Sequence, residues 1–304
     1  MSQDVNRARE MEVFARVVET GGFSAAARDL RLSPSAVSKL VSRLEARIGA
    51  RLLNRTTRKL ILTPEGGAFH EQARRILADI DDAERAAAGG AAPRGRVRVS
   101  ATVAFGLHHL LPILPAFSAR YPEVTLDLNL TDAVIDLLDQ RADVAIRVGV
   151  LSGGGLMARK LGTSRTVVVA SPAYLARRGT PSDVSDLAAH NLISFNFSRR
   201  RVDWPFLNGD GTISGYPATG DVTVGDGETA RVLALAGAGI VRLAAYHVAP
   251  DVAAGRLVPL LQAFDPGDPE DIHAVYVGHR TTLPSRVRAF IDYLVETVRL
   301  EASS

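Results

Sequence analysis

The feature that most constrains this chain is a change of rhythm at residues 89–95, which read GGAAPRG. Upstream, apolar residues recur every three or four positions. Downstream, short aliphatic and β-branched runs alternate with helical stretches. Glycine and proline continue neither helix nor strand comfortably, so these residues are expected to form a hinge. With 304 residues, 46% hydrophobic and 23% charged, the chain has the composition of a well-cored globular protein of two or three domains.

Before the hinge, RAREMEVFARVVETGG places Met11, Phe14, Ala15 and Val18 on one helical face, and Gly21-Gly22 stop it. A short alanine-rich helix follows in FSAAARDLRLS, with Ser24 as its expected cap. Then comes SPSAVSKLVSRLEARIG, with Ser33 as N-cap and Pro34 at the first helical position, where a missing N–H costs nothing. Three helices joined by tight turns make a helix-turn-helix arrangement. In ARLLNRTTRKLILTPEG the period becomes extended around the polar turn NRTTRK, which predicts a hairpin or wing. Thr63 and Pro64 open another helix, whose ladder Phe69, Ala73, Ile76, Ile80, Ala83 and Ala87 steps by four and three. That is a coiled-coil seam, and it predicts a homodimer through this linker helix.

Charge is divided along the chain. Residues 1–63 hold 12 Lys/Arg against 6 Asp/Glu, and between Arg31 and Lys59 eight cations face one acid, Glu45. So concentrated a basic patch favours a polyanion. There is no cysteine, which removes disulfides, thiolate metal sites and cysteine nucleophiles and suits a reducing cytoplasm. The N-terminus has charges where a signal peptide needs its apolar run, and no run of eighteen apolar residues occurs, so neither export nor membrane insertion is expected.

After the hinge, RVRVSA, VTLDLNL and DVAIRVG read as strands, with helices in FGLHHLLPILPAFSARY and DAVIDLLDQ. This βαβ rhythm predicts an α/β class with a parallel sheet covered on both faces. A second set runs from RTVVVAS to about residue 265, and IHAVYVG with the helix from Pro284 to Leu300 is placed back on the first sheet. The expected domains are a winged helix-turn-helix over 1–63, a linker dimerisation helix over 64–88, the hinge at 89–95, and a body over 96–304. The body divides into lobe I (96–164 and 268–304) and lobe II (165–267).

The block FARVVETGGFSAAARDLRLSPSAVSKLVSRLEARIGARLLNRTTRKLILTPEG resembles the winged helix-turn-helix of LysR-type transcriptional regulators almost position by position. LPAFSARYPEV, DVAIRVG, ARKLG, VVASPAYLARRG, DLAAHNLISF and AGAGIVRL extend the resemblance over nearly the whole chain. It implies a DNA-binding domain, a dimerising linker helix and a periplasmic-binding-protein-like effector domain, usually assembled as a homotetramer, with RNA polymerase as a further partner. Members often carry Phe where Leu53 stands, Pro where Ala244 stands and an aliphatic residue where Arg242 stands. Leu53 should leave the core of the wing intact, and Arg242 brings a cation toward the effector cleft.

If the third helix buries Val37, Leu40, Val41, Leu44 and Ile48, its wetter side carries Ser35, Ser38, Lys39, Ser42 and Arg43. Short hydroxyls let a helix approach bases and phosphates of double-stranded DNA closely. Ser33 joins this DNA-facing set. Arg47, late in the helix, is expected to touch phosphate or pair with an acid. In the wing, Arg55, Thr57 and Arg58 can reach the backbone or minor groove. For the effector, SATVAFG places Ser100 and Thr102 beside free N–H groups at a helix start, which suits an anionic small molecule; capping by Thr102 is the competing reading. Arg147 points to the cleft or pairs with Asp132 or Asp136. Asn196, Phe197 and Asp226 are candidates on the facing wall.

An NAD(P)-dependent enzyme is the alternative, because GDGETA, beginning Gly225-Asp226-Gly227, fits G-x-G-x-x-A. No acidic residue ends the next strand, GIVRLAAY, to hold a ribose, and a loop with a capping Asp is the simpler account. No G-x-S-x-G elbow is present, and a solute-binding protein would need an export signal and no basic head. His108-His109 is read as no metal pair, for want of a matching acid, and is assigned to a helix surface. The reading is therefore a cytoplasmic transcriptional regulator with no catalytic residues, no metal and no cofactor.

Overall fold

The computed structural model describes residues 6–55, 60–87, 92–133, 142–149, 156–196, 203–267, 269–277 and 283–300. The tip of the wing, most of the expected helix DAVIDLLDQ and the first residues of the hinge lie outside them. The chain divides into two units, residues 1–91 and 92–304.

The first unit runs α1 (Arg7–Glu19), α2 (Phe23–Asp29), α3 (Pro34–Ile48), strands β1 (Leu53–Arg55) and β2 (Leu60–Leu62), then α4 (Pro64–Ala87). The boundaries have local chemical causes. Ser33 is extended and its hydroxyl accepts the Ala36 N–H at 3.1 Å, with Pro34 filling the next position. Gly49 ends α3 in the left-handed conformation at φ 76°. Thr63 opens α4 by accepting the Gly66 N–H at 2.9 Å while its own hydroxyl donates to the Arg51 carbonyl at 2.8 Å. Gly66 is required there, since a Cβ would collide with the Leu52 carbonyl oxygen.

Val13, Phe14 and Val17 of α1, Ala26 and Ala27 of α2, Val37, Val41 and Leu44 of α3, and Leu52 and Leu53 form the core. Two positions expected in it differ: Leu40 is half-buried and Ile48 is exposed. The last turn of α3 runs past the core, so Ala46 to Gly49 all meet solvent. Leu53 is buried and pairs with Leu62 across the antiparallel hairpin. Glu45 pins that hairpin, its carboxylate accepting the N–H groups of Leu52 and Leu53 at 2.8 and 3.1 Å. The lone acid of the basic stretch is thereby committed to the fold.

The second unit begins with β3 (Gly95–Ala101) and a composite helix of α5 (Val103–Phe105), a π turn (Gly106–Leu110), a 3-10 turn (Leu111–Ile113) and α6 (Leu114–Arg120). It continues through β4 (Val124–Leu130), β5 (Val144–Val148) and β6 (Leu156–Ser164). Lobe II supplies β7 (Thr166–Ala170), α7 (Pro172–Arg178), β8 (Ser194–Phe195), β9 (Asp203–Leu207), β10 (Ile213–Pro217), β11 (Thr223–Val224), α8 (Gly227–Leu235), β12 (Val241–Ala244), α9 (Ala245–Ala253) and β13 (Val258–Leu260). β14 (Glu270–Val277) and α10 (Ser285–Thr297) return to lobe I.

Lobe I is a five-stranded sheet ordered β4-β3-β5-β14-β6. β3 is parallel to β4 and β5, whereas β14 is antiparallel to β5 and β6. The sheet expected to be parallel is therefore mixed, because the chain leaves along β6 and re-enters from lobe II in the opposite direction. The helix expected over FGLHHLLPILPAFSARY is segmented for a related covalent reason. Pro112 and Pro115 lack the N–H that a continuous helix needs, and each sits at the start of a new segment. In lobe II β7 is antiparallel to both β12 and β13. One face of that sheet packs Val168, Ala170 and Leu260 on Trp204 and Phe206, and the other packs Val169, Val241 and Leu243 on Ala230 and Ala234 of α8.

Candidate functional site

Along α3, burial of Val37, Val41 and Leu44 leaves Ser35, Lys39, Ser42 and Arg43 exposed and Ser38 half-buried. Ser33 is exposed too, but its oxygen caps the helix, and the Ser33 and Ser35 hydroxyls lie 3.0 Å apart. Among the described residues, no acid lies in ion-pair range of Lys39 or Arg43. Arg47 differs: its guanidinium pairs with Glu10 of α1 at 3.0 Å, and Glu10 is buried. The row of three cations is thus two outward charges and one tie to the core. In the wing, the backbone of Arg55 belongs to β1. Its side chain, and all of Thr57 and Arg58, lie outside the described residues.

In the second unit, Ser100, Thr102 and Arg147 meet at the carboxyl ends of β3 and β5. Arg147 donates to the Ser100 hydroxyl at 3.1 Å and to the Ile146 carbonyl at 3.2 Å. Burial pulls the Arg147 pKa below the ordinary arginine value, and the negative charge of Asp132 works against that pull. No ion pair joins Arg147 to Asp132 among the described residues, and Asp136 lies outside them. Thr102 does not cap α5 with its side chain. Its hydroxyl oxygen is buried and has no hydrogen-bond partner among the described residues.

Asp132 takes the capping role instead. One carboxylate oxygen accepts the Val103 N–H at 3.1 Å in lobe I, and the other accepts the Gly227 N–H at 3.1 Å in lobe II. The anion position expected at the SATVAFG loop is filled from within the chain. Asp226 is likewise engaged, accepting the Thr229 N–H at 2.8 Å and the Thr229 hydroxyl at 2.7 Å as the N-cap of α8. Gly225-Asp226-Gly227 is therefore a carboxylate-capped helix start, and its Gly227 N–H, which a pyrophosphate would need, is already bonded. Asn196 is exposed beside Gly225, whereas Phe197 lies outside the described residues.

Arg242 is not brought to this cleft. Strand alternation puts its neighbour Leu243 toward Gly227 of α8, so Arg242 turns to the opposite face of β12. There it lines a pocket with Arg165, Gln262 and Asp265, which none of the other expected effector residues enters.

A second bridge between the lobes joins His108 to Glu228. His108 Nε2 lies 2.9 Å from Glu228 Oε2, and His247 Nε2 lies 2.7 Å from the same oxygen. Arg231 holds the other oxygen at 2.8 Å. Burial works to raise the Glu228 carboxyl, but the bonds from His247 and His108 outweigh it and hold the pKa down to about 2. Burial lowers the pKa of His247 in spite of that carboxylate. His109 is no surface residue either, since its ring stacks on Phe105 at 5.5 Å and meets Tyr246 at 5.1 Å.

A helical head with an outward basic face and a two-lobed α/β unit are found together in known proteins. Residues 8–67 match the bacterial regulatory helix-turn-helix protein, lysR family, and residues 90–299 match the LysR substrate binding domain. The chain belongs to the LysR family of transcriptional regulators. It is a DNA-binding regulator whose second unit is an effector-binding domain. Over 288 residues it is 40% identical to the HTH-type transcriptional regulator CrgA of Neisseria meningitidis serogroup C (strain 8013), covering 94% of this chain and 95% of that one. The structure of CrgA from Neisseria meningitidis aligns with a TM-score of 0.64 at 39% identity, covering 95% and 97% of the two chains. The full-length structure of the Vibrio cholerae virulence activator AphB aligns with a TM-score of 0.61 at 26% identity, covering 96% and 99%.

Three residues of this LysR-type regulator that hold its lobes together escaped sequence reasoning in that role: Asp132, Glu228 and His247. Asp132 stands out in the sequence only as an acid after a strand. Glu228 lies inside the GDGETA stretch, where the glycines draw attention first. Nothing in the sequence pairs it with His108, which is 120 residues away.

Proposed function

We propose that this regulator lays the Ser35, Lys39, Ser42 and Arg43 face of α3 in the major groove of double-stranded DNA. Ser33 and Ser38 lie close to the backbone, and Arg55, Thr57 and Arg58 of the wing reach phosphate or the minor groove. Heads are paired as a homodimer through α4 and assembled further as a homotetramer. A small anionic effector is held by Arg147 beside Ser100 and Thr102, apart from the helix start that Asp132 fills, with Asn196, Phe197 and Asp226 on the facing wall, and shifts the arrangement of the heads through its different affinity for two states. The regulator acts in the cytoplasm, with RNA polymerase as its downstream partner, and has no enzymatic turnover. Among the described residues no helix is long and apolar enough to cross a membrane.

The observation that carries the DNA reading is the pair Lys39 and Arg43, one turn apart, exposed and facing no acid among the described residues. Arg43→Ala is expected to weaken binding to a specific duplex by about 1–3 kcal/mol if it reads a base, and to weaken specific and scrambled duplexes alike if it holds phosphate. Gel-shift titration on both duplexes separates these outcomes. Unchanged affinity for both would remove α3 from the interface.

A further inference from the structure

Among the described residues, His108, Glu228 and His247 each offer one ligand atom, and these atoms all lie within 4.8 Å of one another. The three come from separate parts of the second unit. His108 sits in the π turn of lobe I, Glu228 in the first turn of α8, and His247 in the first turn of α9. π turns inside helical segments recur at functional sites. The two imidazole rings are 5.1 Å apart, and both direct Nε2 to Glu228 Oε2.

The carboxylate is set as a metal-binding carboxylate would be. Arg231 holds Oε1, and Asp251, which is fully buried, pairs with Arg231 and balances its charge. Oε2 is thereby left facing the two nitrogens. Outer contacts of this kind orient metal ligands. Two imidazole nitrogens and one carboxylate oxygen make a donor set for a first-row divalent ion, with bonds of about 2.0–2.2 Å. In tetrahedral geometry such bonds separate ligand atoms by about 3.3 Å, so the present spacings of 2.7 and 2.9 Å need open only slightly. With Nε2 bound to the ion, each ring would carry a proton on Nδ1. A fourth position stays open to water or an anion. No cysteine thiolate is present anywhere in the chain to compete for the ion.

We propose that His108, Glu228 and His247 form a divalent transition-metal site, best fitted to zinc, that bridges the two lobes. Because lobe I supplies one ligand and lobe II the other two, the ion binds only the arrangement that brings them together, and it stabilises that arrangement.

The test uses the full chain freed of metal with a chelator. Zinc chloride is titrated in by calorimetry, and cobalt chloride by visible absorption. The expected result is one ion per chain, with cobalt giving the intense visible bands of a four- or five-coordinate ion. Magnesium should bind far more weakly, because it prefers oxygen ligands. His108→Ala, which removes the partly exposed lobe I ligand, should weaken zinc by about 100-fold and abolish the cobalt bands, while circular dichroism of the metal-free protein stays unchanged. If that variant folds poorly, His108→Gln carries the same comparison. Absence of stoichiometric zinc binding in the native chain, or binding that His108→Ala and His108→Gln leave intact, would overturn the site and leave the three residues as a hydrogen-bonded latch. DNA affinity enters neither readout, so failure here is separate from failure of the proposed function.

Discussion

Asp251 of α9 is wholly buried, and Arg231 and Arg256 converge on its two oxygens. Burial alone would raise its carboxyl pKa, but the bonds from the two guanidinium groups outweigh it and the net shift is downward. A carboxyl whose pKa is lower folded than unfolded contributes stability that is fully present above the unfolded value, about 4, and lost as pH falls through the folded one. Asp251→Asn is therefore expected to cost about 1.5–3 kcal/mol at pH 7, since it removes the buried charge to which Arg231 and Arg256 both donate and leaves Arg231 with Glu228 alone. Denaturant unfolding at pH 7 and pH 3 should show the gap between native and variant narrowing in acid. An equal gap at both values would mean that the charge of Asp251 is not what matters. Ser33 and Pro34 were legible as a helix start because capping involves neighbours a few residues apart. The partners of Asp251 were not, because Arg231 approaches from another helix.

At the scale of the element, α4 commits only part of its apolar seam to its own chain. Phe69 sets its ring 5.6 Å from that of Phe14, and Ala73 is fully buried, so the first half of the seam is spent on the head of the same chain. Further along, Ile76 is 42% exposed, Ile80 is half-buried and Ala83 is exposed. A heptad pattern read from sequence cannot tell these halves apart, because both ask for an apolar residue at the same spacing. If the second half is the dimer seam, Ile76→Glu should raise the dimer dissociation constant by at least about ten-fold, since each buried isoleucine contributes about 1.5–3 kcal/mol. The head should stay folded, because Ile76 lies outside its core. Sedimentation velocity across a concentration series reads the shift, and a dimer as tight as the native one would move the interface elsewhere. α3 was legible in its placement and its caps, and differed at Ile48, where the helix outruns its core.

At the scale of the whole molecule, the second unit is two lobes whose helix starts share one carboxylate. Asp132 accepts from Val103 and Gly227, which stand 124 positions apart in the chain. A hydrogen bond to a charged group contributes about 1.5–3 kcal/mol. Asp132→Ala should accordingly speed amide exchange at Val103 and Gly227 by roughly ten- to a hundred-fold while exchange in the core strands β3 and β5 is retained. Unchanged exchange at both amides would show that the lobes are held without Asp132. The sequence by itself determined what depends on near neighbours: the caps that open α3 and α4, the basic stretch from Arg31 to Lys59 with its single acid, the alternation of strands and helices, and the family. Tertiary structure alone decided what depends on where the chain returns. The antiparallel entry of β14 follows from the route through lobe II. The turning of Arg242 away from the cleft follows from which face of β12 packs on α8. The meeting of His108 with Glu228 and His247 follows from closure of one lobe on the other. Local patterns record periodicity and capping because these act over a few residues, whereas the lobe contacts of Asp132 and His108 join residues 95 and 120 positions apart and leave no local trace.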